Sequence, residues 1–201
     1  MTFVLGLTGS IGMGKSTTAQ MFFDAGVLVW DADATVQRLY EKGGGVADLV
    51  EQHYPQVIEN GAVSRSKLRE VIAADPKVLD HLQTLVHPIV ALDRAAFLST
   101  ATAPIVLLDI PLLFEIGADA DCTGAVVVSA PTDVQRQRVL ARGEMSEADF
   151  NMIVSRQMPN VEKRARARWV IETVTLDHAR QSVANIVAEI EQELTDAGNR
   201  P

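Results

Sequence analysis

Cysteine is nearly absent from this chain of 201 residues, where Cys122 is the single one. One cysteine excludes an internal disulfide and is typical of proteins kept in a reducing compartment. No apolar run approaches the roughly 18 residues that a membrane span needs, and the first residues lack the basic region of a signal peptide. These absences predict a soluble, cytoplasmic protein that makes no membrane contact.

An excess of basic residues is also missing, since the net charge is −8. Phosphate backbones favour basic surfaces, so we expect no nucleic-acid partner. Between residues 136 and 168, however, basic residues outnumber acidic ones. This segment suits a small polyanionic ligand, although a solvated helix face is an equal alternative. The basic residues are Arg136, Arg138, Arg142, Arg156, Lys163, Arg164, Arg166 and Arg168, and the acidic ones are Glu144, Glu147, Asp149 and Glu162.

Short apolar runs alternate with helical patterns along the chain. Such alternation predicts an α/β fold, with a five-stranded parallel sheet flanked by helices. The predicted strands are residues 3–7, 27–30, 104–109, 125–128 and 169–171. The predicted helices beside them are residues 16–25, 34–41, 131–142 and 176–194.

Two features of the helical patterns carry more specific expectations. In the helix over 16–25, both Phe22 and Phe23 are available for the core. Residues of about 46 to 102 are mainly helical in pattern, and Pro88 suits the start of a helix because its missing N–H is not needed there. A helical excursion of this length between strands predicts an insertion that carries substrate contacts.

The segment Gly9-Ser10-Ile11-Gly12-Met13-Gly14-Lys15-Ser16 has the spacing of a phosphate-binding P-loop. Glycines let the backbone bring its N–H groups against phosphate oxygens, and the following helix N-terminus adds partial positive charge. Lys15 can reach the β- and γ-phosphates, and Ser16 can ligate Mg²⁺. The loop lies between a predicted strand and a predicted helix, as this motif requires. It predicts binding of ATP with Mg²⁺.

A P-loop alone does not choose between a kinase, a GTPase and a nucleotide-dependent switch. The Asn-Lys-x-Asp tetrapeptide of guanine-specific GTPases does not occur in this chain. Asp31 and Asp33 follow the second strand at the edge of the sheet where ligands bind. A carboxylate there can accept the proton of a substrate hydroxyl or hold Mg²⁺. It can also be a turn former and helix N-cap, and position alone leaves both alternatives open.

Five segments together make the chain similar to the bacterial dephospho-CoA kinases. Each segment occurs in order, and the resemblance covers roughly residues 3 to 190. The family resembles nucleoside-monophosphate kinases, and this implies the strand order 2-3-1-4-5. The segments are Leu7–Thr17, Asp31-Ala32-Asp33, Leu85-Val86-His87-Pro88-Ile89, Pro111-Leu112-Leu113-Phe114-Glu115 and Gln135–Arg142.

The resemblance implies that ATP phosphorylates the ribose 3′-hydroxyl of dephospho-CoA. Asp33 matches an aspartate that acts as base or orienting group and lies near the metal, together with Ser16. Lys15 and Arg142 would stabilise the charge of the phosphoryl group, with Arg142 in a lid and Arg138 a weaker candidate. The residues expected at ATP are Gly9, Ile11, Gly12, Met13, Gly14, Lys15, Ser16, Thr17, Arg138 and Arg142.

On the acceptor side, the resemblance implies that dephospho-CoA meets His87 and an apolar floor. His87 is expected to contact substrate or to make a structural hydrogen bond. Leu112, Leu113 and Phe114 are expected to form the floor, with core packing as the alternative. Asp109 ends the third strand and is a further candidate for contact with Mg²⁺.

We therefore expect one kinase domain over residues 1–201, as a monomer or weak homo-oligomer. Its core covers about 1–45, 103–135 and 168–196. A helical substrate region covers about 60–100, and a lid covers about 138–165. The alternatives are a kinase for another nucleotide or small molecule, and a switch or assembly ATPase.

Two departures from the family pattern affect the expected ATP site. Met13 replaces a small residue in the loop, and we expect its side chain to point away from the phosphates. Residues 167–173 replace the family's usual Ala-Asp-Tyr-Val-Ile-Asp-Asn near the adenine.

Overall fold

The computed structural model describes residues 2–143 and 145–199. Glu144, one of the acidic residues of the basic segment, and both ends of the expected 1–201 domain lie outside the described residues. Two compact units are present. The sheet unit is formed by the chain up to Trp30 and from Ala101 onward, and the helical unit by Asp31–Thr100.

The sheet has five strands: β1 (Phe3–Thr8), β2 (Leu28–Asp31), β5 (Ile105–Asp109), β6 (Gly124–Ser129) and β7 (Trp169–Glu172). Their order is β2-β5-β1-β6-β7. Strand β1 pairs in parallel with both β5 and β6, and β6 pairs in parallel with β7. The predicted order is confirmed once these five strands are counted alone. Parallel strands bring their carboxyl ends to one edge of the sheet, where the P-loop begins after β1.

The strand numbers differ from the expected ones because the helical unit contains a hairpin that the patterns did not predict. It consists of β3 (Ile58–Glu59) and β4 (Ala62–Val63), which are antiparallel. The connecting residues Asn60 and Gly61 both have positive φ, at 53° and 82°. Two residues with positive φ are typical of a tight hairpin turn. Strands of two residues are too short to show an alternating pattern.

Helices of the sheet unit are α1 (Lys15–Asp24), α6 (Thr132–Ala141), α7 (Glu147–Arg156), α8 (Asn160–Arg166) and α9 (Leu176–Gly198). The buried faces of α1 and α9 share one apolar cluster with the sheet. Phe22 is fully buried in this cluster, but the side chain of Phe23 is 60% exposed, so its expected place in the core was wrong. Consecutive residues of a helix lie about 100° apart, so the two cannot share one narrow face.

The helical unit contains α2 (Ala32–Tyr40), α3 (Ala47–His53), α4 (Arg65–Ala74) and α5 (Lys77–Thr100) around its own apolar cluster. Pro88 lies inside α5, so the expectation that it begins a helix was wrong. An internal proline removes one hydrogen bond. The apolar face continues on both sides of it, with Leu82 and Val86 before and Ile89 after, and this packing outweighs the lost bond. None of the helices in the described parts is long and apolar enough to cross a bilayer.

Candidate active site

The loop between β1 and α1 has the backbone that its glycines permit. Gly12 and Gly14 have φ of 76° and 87°, a region that favours glycine. A Cβ added to Gly9 would lie 2.3 Å from Val128 Cγ2, so a larger residue would force the loop away from β6. The three glycines therefore fix the loop against the carboxyl edge of the sheet. Its N–H groups then precede the N-terminus of α1, where anions are favoured.

Met13 anchors the P-loop to the core of the sheet unit through its side chain. Its side chain is only 3% exposed and belongs to the core of the sheet unit. Its sulfur accepts a hydrogen bond from Ala130 N–H at 3.0 Å, and its carbonyl accepts one from Thr173 Oγ1 at 2.8 Å. The side chain thus points into the core, as expected. Thr173 stands where the family pattern has asparagine, and here its hydroxyl braces the loop.

Arg138 also acts on Thr173. Its guanidinium donates to Thr173 Oγ1 at 3.1 Å and to the Thr173 carbonyl at 2.6 Å. These bonds fix α6 against the segment that follows β7. Arg138 is therefore a bracing residue in this structure, although it also lines a cavity beside the loop.

Lys15 begins α1 and reaches toward the end of β5. Its Nζ lies 2.7 Å from Asp109 Oδ1, and the Asp109 side chain is only 2% exposed. An ion pair this buried positions the ammonium strongly. Ser16 and Thr17 follow in the first turn of α1, and both are exposed.

Two neighbouring cavities adjoin the loop. The first, which we name the P-loop cavity, has a volume of about 280 Å³. The second, the adjoining cavity, measures about 400 Å³ and lies toward α9. Both are lined by Gly12, Gly14, Thr17 and Arg142. Of the residues expected at ATP, those lining the P-loop cavity are Gly9, Ile11, Gly12, Met13, Gly14, Lys15, Ser16, Thr17 and Arg142.

The basic segment carries less free charge than its composition suggested. Five of its eight cations form ion pairs with carboxylates. Arg138, Arg142 and Arg156 form no ion pair with another described residue, and of these three only Arg142 lines both cavities. The pairs are Arg136 with Glu147, Lys163 with Glu115, Arg164 with Glu172, Arg166 with Asp119, and Arg168 with Glu189 and Glu193.

Lys163 is the most buried of these cations, with a fully buried side chain. Its Nζ lies 2.8 Å from Glu115 Oε1 and donates to the Pro111 carbonyl at 3.2 Å. The same Glu115 oxygen accepts from Met158 N–H at 2.9 Å. Helix α8 and its entry are therefore tied to the segment that follows β5. The sequence patterns placed Lys163 in a solvated or ligand-binding segment, because a sequence does not distinguish a buried lysine from an exposed one.

Burial raises the pKa of Glu115, but the hydrogen bonds from Lys163 and Met158 outweigh burial and hold it below its ordinary 4.5. A lowered folded-state pKa contributes stability above the unfolded value, and that contribution is lost as pH falls through the folded value. We expect Glu115→Gln to lower the free energy of unfolding at neutral pH by about 2–3 kcal/mol, since Lys163 keeps a buried charge without its anion. Thermal and urea melts would measure it.

The double variant Glu115→Gln, Lys163→Met is expected to recover most of that loss, because neither charge remains buried. The matched control is Arg136→Gln, which breaks an exposed pair and should cost less than about 1 kcal/mol. The ion pair would be unimportant if Glu115→Gln and Arg136→Gln melted alike. Wild-type stability should fall as pH drops just below 4.5, where Glu115 takes up a proton, and Glu115→Gln should lack this dependence.

The two aspartates of Asp-Ala-Asp have different surroundings in the helical unit. Asp31 is the N-cap of α2, and its carboxylate accepts from Ala34 N–H at 2.9 Å. Asp33 lies in the first turn of the same helix with an exposed side chain. The N-cap alternative therefore holds for Asp31. The Asp33 side chain is exposed to solvent instead.

His87 lies on α5 with an exposed side chain and lines an apolar cavity of about 200 Å³ within the helical unit. Tyr40 lines the same cavity, and burial raises the pKa of its hydroxyl. The neighbouring walls are aliphatic, including Leu68 and Val86. A cavity of this kind suits an apolar portion of a ligand.

The expected apolar floor is corrected for two of its three residues. Leu113 is fully buried against β1, where a Cβ on Gly6 would lie 2.7 Å from Leu113 Cδ2. Phe114 is 4% exposed, and its ring is covered by the Arg166 guanidinium at 4.5 Å. Both follow the packing alternative in this conformation, because a close-packed core accepts them fully. Leu112 alone keeps an exposed surface, at 37%.

Two glutamines that the sequence patterns did not single out contact the P-loop. Gln135 Nε2 donates to the Ile11 carbonyl at 2.8 Å, and Ile11 N–H donates to Gln157 Oε1 at 3.1 Å. Gln135 appeared only as the first residue of a matching segment. Gln157 follows α7 at a position whose local sequence shows no binding pattern.

Comparison with known proteins places most of the chain in one family. A family model described as CoaE, dephospho-CoA kinase, matches residues 3–177. A protein named dephospho-CoA kinase from Ruegeria pomeroyi is 54% identical over 190 residues, which cover 94% of this chain and 96% of the relative. One of the same name from Cereibacter sphaeroides is 55% identical over 195 residues, covering 97% and 98%.

A solved structure is also similar to this chain over most of its length. The crystal structure of a Thermus thermophilus protein is 34% identical and superposes with a TM-score of 0.82, covering 94% of this chain and 97% of that one. The family match over residues 3–177 spans the positions of the P-loop, both aspartates, the Pro111–Glu115 segment and Arg142. The chain therefore belongs to the dephospho-CoA kinase family.

Proposed function

We propose that this protein transfers the terminal phosphoryl group of ATP to the ribose 3′-hydroxyl of dephospho-CoA. The products are coenzyme A and ADP, and the reaction is the last step of coenzyme A synthesis. The observation that carries the proposal is a formed P-loop with a positioned Lys15, in a chain that belongs to this family over most of its length.

The donor side of the reaction rests on electrostatic positioning. Phosphoryl transfer needs little covalent help from protein, so alignment and charge stabilisation supply most of the rate. Loop N–H groups would hold the phosphates, and Lys15 would move from Asp109 toward their terminal oxygens. Arg142 has no competing ion pair among the described residues and lines both cavities, so it is suited to neutralise the group in transit.

Hydroxyl and carboxylate oxygens are donors that fit Mg²⁺. The ion prefers oxygen ligands and usually keeps waters and substrate phosphates in its shell. We assign the Ser16 hydroxyl and the Asp33 carboxylate as its protein ligands. In the part of the chain that the structure describes, no cluster of three His, Cys, Asp or Glu forms a metal site. A shell completed by ATP oxygens and water agrees with that. When bound, Mg²⁺ would offset the negative charge of the phosphates.

On the acceptor side we assign Asp33 to the 3′-hydroxyl, as the group that orients it and accepts its proton. An exposed carboxylate in the first turn of a helix has the freedom to accept such a bond. His87 and Leu112 are proposed to contact the rest of dephospho-CoA, His87 from the rim of the apolar cavity. Leu113 and Phe114 would support Leu112 from the core of the sheet unit.

The proposal is tested with purified protein, ATP, Mg²⁺ and dephospho-CoA, with product mass as the readout. We expect a mass gain of one phosphoryl group on dephospho-CoA and stoichiometric ADP. A panel of nucleoside monophosphates should release ADP far more slowly. Preferred phosphorylation of another acceptor would replace the substrate assignment. ADP release without any phosphorylated acceptor would point to an ATPase.

Arg142→Met is expected to lower kcat by about 10²-fold or more, because a charge that acts on the transferring group is removed. Stability should not change, since the described structure gives Arg142 no ion pair to lose. Arg156→Met is the matched control. It removes a second unpaired arginine that lines neither cavity, and its steady-state kinetics should match wild type. Equal kinetics for both variants would remove Arg142 from the mechanism.

A further inference from the structure

Ile11 is held from both sides by glutamine side chains. The Ile11 carbonyl accepts from Gln135, and the Ile11 N–H donates to Gln157. One N–H of the P-loop is thus already engaged by a side chain. A loop that binds phosphate through its N–H groups needs another donor at that point.

The two glutamines differ in what surrounds them. Gln135 is 4% exposed and does not line the P-loop cavity. Gln157 is only partly buried and lines that cavity together with Lys15 and Pro111. The first is a buried brace, whereas the second presents its carboxamide to the space where phosphate is expected.

Hydrogen-bond chemistry fixes the orientation of the Gln157 carboxamide. Because Ile11 N–H is a donor, the group facing it must be the Gln157 oxygen. The Gln157 amino group then forms the other end of the carboxamide. It makes no hydrogen bond to any other residue within 2–143 and 145–199. Accepting a bond at the oxygen polarises the amide and strengthens its N–H groups as donors.

We propose that Gln157 contacts the terminal phosphate of ATP, with its oxygen on Ile11 and its amino group donating to a phosphate oxygen. The P-loop cavity is the one lined by Lys15, whose type reaches the β- and γ-phosphates. The adjoining cavity, lined by Leu176 and Ala179, is the one without Lys15. Gln157 therefore belongs to the terminal-phosphate end. The inference rests on the proposed use of ATP as phosphoryl donor.

Two substitutions separate this contact from a purely structural brace. Gln157→Glu keeps an acceptor for Ile11 N–H but replaces the donating amino group with negative charge. We expect it to weaken ATP binding about 10²-fold and ADP binding much less, through repulsion of the terminal phosphate. Gln157→Met keeps the volume and removes both bonds, and should weaken ATP binding only about 10-fold.

Asn151→Asp is the matched control. Asn151 lies exposed on α7, the helix that Gln157 follows, so this change adds the same charge nearby in the chain without lining the cavity. Calorimetric titration with ATP and with ADP, in the absence of any acceptor, gives the dissociation constants. Melting temperatures measured beside them show whether each variant is folded.

If Gln157 makes this contact, wild type binds ATP most tightly, Gln157→Met binds it less tightly and Gln157→Glu binds it least tightly. The ATP affinity of Asn151→Asp should be near that of wild type. A wild-type ATP affinity in Gln157→Glu would overturn the proposed contact. So would equal loss for ATP and ADP, since a brace for the loop has no preference for the terminal phosphate. These titrations need no phosphoryl transfer. A wild-type protein that binds ATP but leaves dephospho-CoA unchanged would refute the proposed function and still decide the role of Gln157.

Discussion

Replacing Lys15 with methionine is expected to lower kcat/KM for ATP by about 10³-fold. Lys15 is the first residue of α1. Its ammonium is expected to attract the phosphoryl group more strongly in the transition state than in bound ATP. ATP affinity should fall as well, because Lys15 also contacts the phosphates in the ground state. Steady-state kinetics with dephospho-CoA and equilibrium titration with ATP would give the two effects separately.

A second effect of Lys15→Met must be separated from the first. Asp109 would lose the cation 2.7 Å away while its side chain remains buried, so the melting temperature is expected to fall. The double variant Lys15→Met, Asp109→Asn should regain stability without regaining activity. Lys42→Met removes an exposed lysine and serves as control. Activity that returned with stability would show that Lys15 acts only through folding.

The P-loop was predictable because its information is local. Glycines at fixed spacing, an apolar run before them and a helical pattern after them define one continuous segment. Backbone sterics then leave few conformations, as the positive φ of Gly12 and Gly14 shows. The order of the five strands followed from resemblance to a known family. Periodicity alone gives the strands and their parallel direction, and does not give their order.

What the sequence did not reveal depends on contacts between distant residues. The carboxamide of Gln157 meets Ile11 across 146 positions of chain, and no local pattern marks it. Lys163 was counted with the exposed cations, but its partner Glu115 is far away in sequence and the pair is buried. Composition records charge without recording pairing. The basic segment therefore looks like an anion-binding stretch in sequence, although only Arg138, Arg142 and Arg156 of its eight cations form no ion pair with another described residue.

The expected apolar floor shows the same difficulty at short range. Leu112, Leu113 and Phe114 are adjacent, and each is apolar enough for a pocket or a core. In the turn after β5, Leu113 packs against Gly6, and the Arg166 guanidinium covers the Phe114 ring. The motif contains neither Gly6 nor Arg166. A motif thus indicates where a functional segment lies. Which of its side chains faces ligand is a property of the packing.

Asp33→Asn is expected to lower kcat with dephospho-CoA by about 10²–10⁴-fold, while the dissociation constant for ATP stays near the wild-type value. Asparagine keeps the size of the side chain but cannot accept the hydroxyl proton. The Asp33 side chain is exposed, so no core contact is lost. Loss of a charge in the first turn of α2 should cost only about 0.3–1 kcal/mol of stability.

Asp31→Asn supplies the matched comparison, because it makes the same chemical change two residues earlier. Asparagine is as good an N-cap as aspartate, so α2 should keep its first turn and the variant its activity. Asp31→Ala should instead lower stability by about 1 kcal/mol. If Asp31→Asn lost turnover and Asp33→Asn kept it, the proton acceptor would be Asp31. If neither lost turnover, the reaction would depend on positioning and phosphate charge alone, without a carboxylate at the acceptor hydroxyl.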